Sequence, residues 1–222
     1  TRMVLVNAIY FKGRWAHAFS PGHTREADFF TGPGRNVTVD LMVQTRPFPY
    51  GEFKDCRVVQ LPYEGNDLSM LVVLPKRKGG LAAIEADLSP ERLAGWRAGL
   101  ARQEVRVFLP KFKLTWGTAD LTHPLQAMGM VKAFSATDAD FSGMDGRAHG
   151  LFVGAVLHKA IVEVNEEGTE AAAATAVGFR TLGARKPPSE FRADHPFLFW
   201  IQENRTGSIL FLGRVADPAK TD

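Results

Sequence analysis

The side chains best suited to nucleophilic, acid–base or metal chemistry are scattered along the 222 residues. They are six histidines and one cysteine, namely His17, His23, His123, His149, His158, His195 and Cys56. No Gly-x-Ser-x-Gly elbow, P-loop, dinucleotide-binding glycine pattern or His-Glu-x-x-His pair accompanies them. A single cysteine also excludes an internal disulfide framework and a cysteine-based zinc cluster. The motifs therefore favour a protein that is not an enzyme and binds no metal or cofactor, with a zinc site built from distant histidines left as the alternative.

A second distinctive stretch is residues 168–178, GTEAAAATAVG, which follows the acidic pair Glu166 and Glu167. Its alanine content alone favours a helix or a flexible linker. In a strand, however, side chains alternate between two faces. One parity would then be uncharged and the other would carry a single charge, that of Glu170. Because no proline interrupts before Pro187, every amide can donate to a neighbouring strand. The pattern fits a strand that enters a narrow slot.

Composition narrows the class of protein further. The net charge is +3, from 27 basic and 24 acidic residues spread evenly along the chain, which does not favour a nucleic-acid partner. No apolar run approaches the 18 residues typical of a membrane-spanning helix. With 45% hydrophobic residues, the chain is long enough to bury a sizeable core. We therefore expect a globular protein with neither a nucleic-acid nor a membrane partner.

Hydrophobic periodicity predicts many strands and few helices. Helices are predicted over residues 81–87, 90–100 and 121–128, the second with Ser89 as N-cap and Pro90 at its first position. Residues 138–144 are predicted to form a loop. Strands are predicted over residues 4–11, 27–30, 37–42, 56–62, 68–74, 105–109, 112–114, 151–164, 197–201 and 209–211. The strands over residues 56–62 and 68–74 are predicted to pair as a hairpin. Because no βαβ rhythm appears, the predicted class is α+β with mostly antiparallel sheet.

Several segments resemble one protein family. Residues 164–175, VNEEGTEAAAAT, are similar to the hinge of a serpin reactive-centre loop, and FRADHPFLFW with GSILFLGR (residues 191–200 and 207–214) resembles the serpin C-terminal signature. Further matches follow in the family's order: VLVNAIYFKGRW, LPY, FLPKF, DFSGM and HKA. From these segments the chain is identified as a member of the serpin family. The sequences of its motifs are most similar to those of prokaryotic serpins.

The resemblance also suggests an incomplete domain. Thr1 matches the start of what resembles the third strand of the serpin central sheet, so we expect this chain to lack the helices and strands that precede that strand in the family. We therefore expect a single serpin domain over residues 1–222, N-terminally truncated, with residues 166–190 forming the hinge and an exposed reactive-centre loop. We also expect these 222 residues alone to be inactive as an inhibitor, because the slot for the loop would be incomplete.

The resemblance implies a mechanism. A serine protease attacks the loop, becomes acyl-linked to it, and is displaced as the freed loop inserts into the central sheet as a new strand. Bulky or charged side chains at Thr169 or Ala171 would obstruct that insertion. The residues matched to the hinge are Glu166, Glu167, Gly168, Thr169, Glu170, Ala171, Ala172, Ala173, Ala174 and Thr175.

Counting from the hinge of the family places the reactive bond at Leu182–Gly183. A leucine at this position suits the apolar primary pocket of a chymotrypsin- or elastase-like protease. Arg180 and Arg185 are the alternatives, and cleavage after either would indicate a trypsin-like target. We expect the full-length protein to be a monomer, and an extracellular or periplasmic compartment is favoured although the sequence does not determine it. The alternatives are a non-inhibitory binding or chaperone-like module and an inhibitor of papain-like cysteine proteases.

Four more positions, together with Glu166 of the hinge, match control points of the family. Asn7 and His158 match the shutter beneath the central sheet, where they would hydrogen-bond across strands. Trp15 matches the breach, where the loop first enters the sheet, and Lys111 with Glu166 matches an ion pair near the hinge. Each also has a structural interpretation, as a satisfied core residue or as a surface charge of small energetic weight.

Overall fold

A computed structural model of the chain describes residues 2–167 and 187–220. This part of the chain contains eleven strands and four short helices, which confirms the predicted α+β class. The helices are α1 (Leu81–Ala86), α2 (Pro90–Ala98), α3 (Thr122–Ala127) and α4 (Ser142–Asp145). The strands are β1 (Arg2–Phe11), β2 (Arg25–Gly32), β3 (Arg35–Glu52), β4 (Cys56–Pro62), β5 (Leu68–Pro75), β6 (Ala101–Pro110), β7 (Phe112–Asp120), β8 (Phe152–Val164), β9 (Ser189–Arg192), β10 (Phe197–Glu203) and β11 (Ile209–Val215).

The chain divides into two compact units, and the prediction of a single domain stays a prediction. The first unit comprises Thr1–Phe11, Lys113–Glu163 and Thr221–Asp222. It holds a three-stranded sheet in the order β1-β8-β7, in which β1 and β8 run parallel. The start of α3 is joined to β8, because the Leu121 backbone N–H donates to the Val156 carbonyl at 2.8 Å.

The second unit comprises Lys12–Phe112 and Val164–Lys220. Its sheet has the order β11-β10-β5-β4-β3-β6-β9, and β2 pairs with β3. The pair of β6 and β9 is parallel, and the other pairs of this sheet are antiparallel. The predicted hairpin of β4 and β5 is confirmed, and it turns at Gly65 and Asn66, which both have positive φ angles of 79° and 59°.

The core of the second unit lies between this sheet and the helices α1 and α2. Trp96 of α2 stacks on Trp200 of β10 with ring centres 6.4 Å apart. The predicted cap of α2 is present, since the Ser89 hydroxyl accepts a hydrogen bond from the Arg92 backbone N–H at 3.2 Å. The buried residues of this cluster are Cys56, Val58, Leu71, Val73, Leu81, Ile84, Trp96, Leu198 and Trp200. Strands β5 and β10 are buried along nearly their whole lengths, including the residues on the face that this cluster does not contain.

Many boundaries differ from the sequence predictions, and the differences at β3, β7 and α4 are among them. The strand predicted over residues 37–42 extends to Glu52, through Pro47 and Pro49. Those prolines are tolerated because β2 pairs with β3 only as far as Leu41 and β4 only from Tyr50, so between these points β3 has β6 as its neighbour on one side. The strand predicted over residues 112–114 continues to Asp120, and the predicted loop ends in α4.

Strand β9 was not predicted at all, because SEFR is short and half polar. It forms because β6 offers it a parallel edge, with Phe191 opposite Val107 and fully buried. Among the described helices, none is long and apolar enough to cross a membrane. Within the same ranges, no three His, Cys, Asp or Glu side chains lie close enough together to hold a metal ion.

Candidate functional site

The chain leaves β8 at Val164 and is held immediately beyond it. The indole Nε1 of Trp15 donates a 2.9 Å hydrogen bond to the carbonyl of Asn165. The backbone N–H of Phe19 donates to the carbonyl of Glu166, also at 2.9 Å. Two successive carbonyls are therefore fixed at the point where the predicted hinge begins.

Trp15 is itself held rigidly by aromatic packing. Its ring stacks on Tyr63 with centres 4.6 Å apart and planes 8° from parallel, and Phe19 meets it edge-on at 6.2 Å. Trp15 and Tyr63 also pair through their backbones. Trp15 is only 6% exposed, so the surrounding side chains restrict the rotamers of its indole. In the rotamer that packing permits, the N–H points at the Asn165 carbonyl.

The Glu166 carboxylate is the centre of a small polar cluster. Its Oε1 accepts a hydrogen bond from the Thr24 hydroxyl at 2.8 Å and lies 3.3 Å from the Lys111 ammonium. Lys111 also reaches Asp40 at 3.1 Å, so it bridges two carboxylates. Glu166 is only 8% exposed, which makes it one of the few buried charged residues in the described chain. A buried carboxylate needs such partners, because its desolvation is otherwise uncompensated.

These contacts set the protonation states of the cluster. Burial alone would raise the pKa of Glu166, but hydrogen bonds from backbone, Thr24 and Lys111, together with the Lys111 charge, lower it below its ordinary value. Burial would lower the pKa of Lys111, but hydrogen bonds and charges of Asp40 and Glu166 raise it above its ordinary value. Both groups are therefore charged at neutral pH, and the predicted ion pair is formed in the structure.

The chain re-enters the described structure at Pro187 and is fixed again within a few residues. Strand β9 pairs with β6, and Phe191 packs edge-on against Tyr50 with ring centres 6.4 Å apart. Beyond it, the Ala193 backbone N–H donates to the Phe108 carbonyl at 2.9 Å. His195 is buried with Nδ1 2.7 Å from Asp194 and Nε2 2.7 Å from the Pro75 carbonyl. Both ends of the predicted loop are thus anchored in the second unit.

Most of the predicted loop lies outside the described residues. This holds for the hinge positions from Gly168 to Thr175, for the predicted reactive bond Leu182–Gly183, and for the alternatives Arg180 and Arg185. Of the hinge residues, Glu166 and Glu167 are described, and Glu167 is exposed.

The two predicted shutter residues lie opposite each other. Asn7 of β1 and His158 of β8 occupy the same register position of the parallel pair. Asn7 is exposed and His158 is half-buried, with its ring centre 5.8 Å from that of Trp116. Within the described chain, no hydrogen bond joins the Asn7 and His158 side chains, so the expected cross-strand bond is not formed in this arrangement.

The described residues offer little chemistry beyond binding. Cys56 is fully buried, and burial, with the neighbouring Asp55 carboxylate, raises the pKa of its thiol to about 12, which leaves it protonated and unreactive. The arrangement around Glu166 holds a chain segment in place. It does not resemble a nucleophile with an adjacent base.

Sequence reasoning found Trp15, Lys111 and Glu166 but missed the residues that complete the cluster. Thr24 lies 142 residues from Glu166 along the chain, and Asp40 belongs to a strand predicted from its apolar neighbours. No local pattern marks either residue, because their role depends on contacts formed only in the folded chain.

Comparison with solved structures defines the class of protein to which this fold and this anchored loop belong. Superposition on native protease nexin-1 with heparin gives a TM-score of 0.81 at 33% identity, covering 98% of this chain and 57% of that one. Serpin48 from the insect Tenebrio molitor gives a TM-score of 0.80 at 35% identity, covering 98% and 56%. Serpin48 is a serpin by name, and the predicted serpin fold is confirmed.

The family assignment follows from the sequence as well. The family model described as Serpin (serine protease inhibitor) matches residues 1–218, and the chain belongs to this family. The leukocyte elastase inhibitor of Bos taurus is 47% identical over 226 residues, covering 98% of this chain and 59% of that protein. The chain thus spans about three-fifths of the length of this relative. These relatives are animal proteins and do not support the narrower similarity to prokaryotic serpins.

Proposed function

We propose that this chain supplies the reactive loop of a serine protease inhibitor that acts as a suicide substrate. The observation that carries the proposal is the anchored base of the loop. Glu166, Asn165 and Trp15 fix the chain at the point where a hinge of small residues begins, and β9 fixes it again beyond Pro187. A loop that is anchored at both ends can bind a protease as a substrate while the rest of the protein stays folded.

The proposed reaction has two stages. The serine hydroxyl of the protease attacks the carbonyl carbon of Leu182, the bond to Gly183 breaks, and the amine of Gly183 leaves with a proton from the catalytic histidine. The protease is then held as an ester at Leu182. The loop segment N-terminal to this bond, now released from Gly183, is free to move into the sheet.

Strand topology supports insertion of the released segment between β1 and β8. It continues from β8, so on folding back it runs antiparallel to β8 and equally antiparallel to β1, since those two strands are parallel. Insertion between them exchanges one ladder, β1 with β8, for two new ladders. The net gain is about one ladder of hydrogen bonds, each contributing roughly 1 kcal/mol. The uncharged parity of Thr169, Ala171 and Ala173 suits the crowded face of that slot.

The control positions divide into two roles under this proposal. The Trp15 and Glu166 contacts hold the base of the hinge, so the inserting segment starts from a defined point. Asn7 and His158 lie midway along the strands that must separate, and we assign them to that opening step. In the inserted state each would acquire a new neighbour, the loop strand, in place of the other.

The proposed target is a protease with an apolar primary pocket. Leu182 matches such a pocket, and the bovine relative is named for inhibition of leukocyte elastase. We propose an elastase- or chymotrypsin-like protease as the partner, engaged by a monomeric inhibitor. Cleavage after Arg180 or Arg185 would instead assign a trypsin-like partner.

Complex formation tests the proposal. The protein, expressed from its complete natural gene, is mixed with elastase, chymotrypsin, trypsin and papain and run on a denaturing gel. We expect a heat- and detergent-stable complex with elastase or chymotrypsin. A stable complex with papain alone would assign cysteine proteases as the targets, and no complex with any protease would leave a non-inhibitory serpin.

Paired hinge variants test the insertion step separately from binding. Thr169→Arg places a long charged side chain on the uncharged parity and should turn the inhibitor into a substrate that is cleaved without a stable complex. Glu170→Arg is the matched control, because its parity already carries a charge, and it should keep most of the complex. If the two variants formed the same amount of stable complex, the proposed insertion of the loop with its uncharged face inward would be contradicted.

A further inference from the structure

A cavity of about 330 Å³ lies on the eight-stranded sheet where β2, β3, β6 and β9 run side by side. Its floor is apolar and is formed by Leu41, Val43 and Phe108. Val43 and Phe108 are direct cross-strand partners, and Leu41 is almost fully buried. The floor therefore belongs to the regular sheet and is not the product of a loop conformation.

The rim of the cavity is strongly cationic. Arg25, Arg106 and Arg192 line it, against one carboxylate, that of Glu26. Arg192 has a partial partner, since its Nε lies 3.6 Å from Asp194. Arg106 makes no ion pair with any of the described residues. Positive charge thus exceeds negative charge around the apolar floor, and the arginines of the rim are not fully neutralised by neighbouring carboxylates.

Two of these arginines are fixed in place by the floor. The guanidinium carbon of Arg106 lies 4.9 Å from the centre of the Phe108 ring, and that of Arg192 lies 4.7 Å from the same centre. A guanidinium stacked on a ring keeps its N–H groups free at the edges, where they can donate to an oxyanion. Both guanidiniums lie beside the same ring, so an anion that contacts their N–H edges would offset the repulsion of the two like charges.

Arg25 closes the third side of the cavity. Its Nη1 donates to the carbonyls of Gly22 and Thr24, both at 2.7 Å. These bonds hold the guanidinium at the rim while leaving its other nitrogens free. The side chain is therefore preorganised, and little conformational entropy would be lost when it meets a ligand.

We infer that this cavity is a binding site for a small organic anion, with an apolar body on the floor and a tetrahedral oxyanion bound by the rim arginines Arg106 and Arg192. The volume is at the lower end of the range for small-molecule sites, which suits a body of one or two rings. The bidentate geometry of arginine suits sulfate, sulfonate and phosphate groups. The site uses no residue of the predicted loop and is independent of protease inhibition.

Titration calorimetry with naphthalene-2-sulfonate tests the inference. At low ionic strength we expect a 1:1 complex with a Kd of about 1 mM or tighter, by the affinity per atom of ligands of this size. Inorganic sulfate carries the charge without the apolar body, and 2-naphthalenemethanol carries the body without the charge. Each should bind at least about tenfold more weakly, since it loses one of the two contributions.

Arginine variants locate the site. Arg106→Gln and Arg192→Gln should each weaken naphthalene-2-sulfonate binding about tenfold, the effect of one charge-assisted pair. Arg102→Gln is the matched control, because Arg102 is an exposed arginine on the same strand, at the same parity, and does not line the cavity. It should leave the Kd unchanged within twofold.

Methyl NMR gives a second readout that does not depend on substitution. On addition of naphthalene-2-sulfonate, ring-current shifts should move the Val43 and Leu41 methyl resonances and leave those of Val73, in the core, in place. Three results would overturn the inference: no saturable binding at 5-fold the expected Kd, sulfate binding as tightly as naphthalene-2-sulfonate, or a Kd that responds equally to Arg102→Gln and Arg106→Gln.

Discussion

The centre of the eight-stranded sheet and strand β1 of the three-stranded sheet differ sharply in how far their apolar side chains are buried. In the eight-stranded sheet, Leu71 of β5 and Ile201 of β10 have no exposed surface. In the three-stranded sheet, Val4, Val6 and Tyr10 of β1 are 54%, 72% and 55% exposed. Strand composition is similar in both, so the difference lies in what covers each face in the described chain and not in the residue types.

This difference matches the roles proposed for the two sheets. Of the two strands that would have to separate, β1 shares a ladder with β8 and leaves most of its apolar side chains exposed, so little side-chain packing of β1 is lost when they part. The base of the loop is instead tied to the densely packed unit through Trp15 and Glu166. Strand β1, which must separate from β8 under the proposal, is thus lightly packed, whereas the residues that hold the base of the loop are tightly packed.

The difference in burial is tested most strongly by a leucine-to-alanine substitution in each sheet. Leu71→Ala removes a fully buried side chain and should lower the free energy of unfolding by about 2–5 kcal/mol. Leu5→Ala removes a side chain that is 45% exposed and should cost less than about 1 kcal/mol. Urea denaturation of both variants measures the difference, and equal losses would show that exposure does not separate the two sheets.

A smaller effect is expected at the anchor of the loop. Glu166→Gln keeps the shape of the side chain and removes the charge that faces Lys111 and Thr24, so it should cost about 1–2 kcal/mol. Glu167→Gln, one residue further and exposed, is the control and should cost about 0.5 kcal/mol or less. The same denaturation assay applies. If both substitutions cost the same, the anchor makes no special contribution.

The pH dependence of that anchor follows from its shifted groups. The pKa of Glu166 is lowered from 4.5, so its contribution is complete above about pH 5 and is lost as pH falls through the lower folded value. The pKa of Lys111 is raised from 10.5, so its contribution is complete at neutral pH and is lost only above that value.

The stability gap between the natural protein and Glu166→Gln should therefore be flat from about pH 5 to pH 10 and shrink at either side. Denaturation midpoints measured at pH 3, 7 and 11 would show this. A gap that grows toward pH 3 would mean that Glu166 is not stabilised in its charged form.

Sequence reasoning recovered the parts of the molecule that local patterns encode. The β4–β5 hairpin, the Ser89 cap and the long β8 follow from alternation and turn chemistry within short windows. The parallel edge strand β9 and the extension of β3 through two prolines were missed, because both depend on which neighbour lies alongside. Likewise, the resemblance supplied Trp15 and Glu166, whereas their partners Thr24 and Asp40 appear only when distant segments meet.

The most direct test of the central claim is the position of the cut in the loop. The protein is incubated briefly with elastase or chymotrypsin, and the peptide released from the C-terminal side is identified by mass spectrometry. We expect a peptide that begins at Gly183, with Leu182 as the residue joined to the protease. A peptide that begins at Thr181 or Lys186, or cleavage outside residues 168–186, would contradict it.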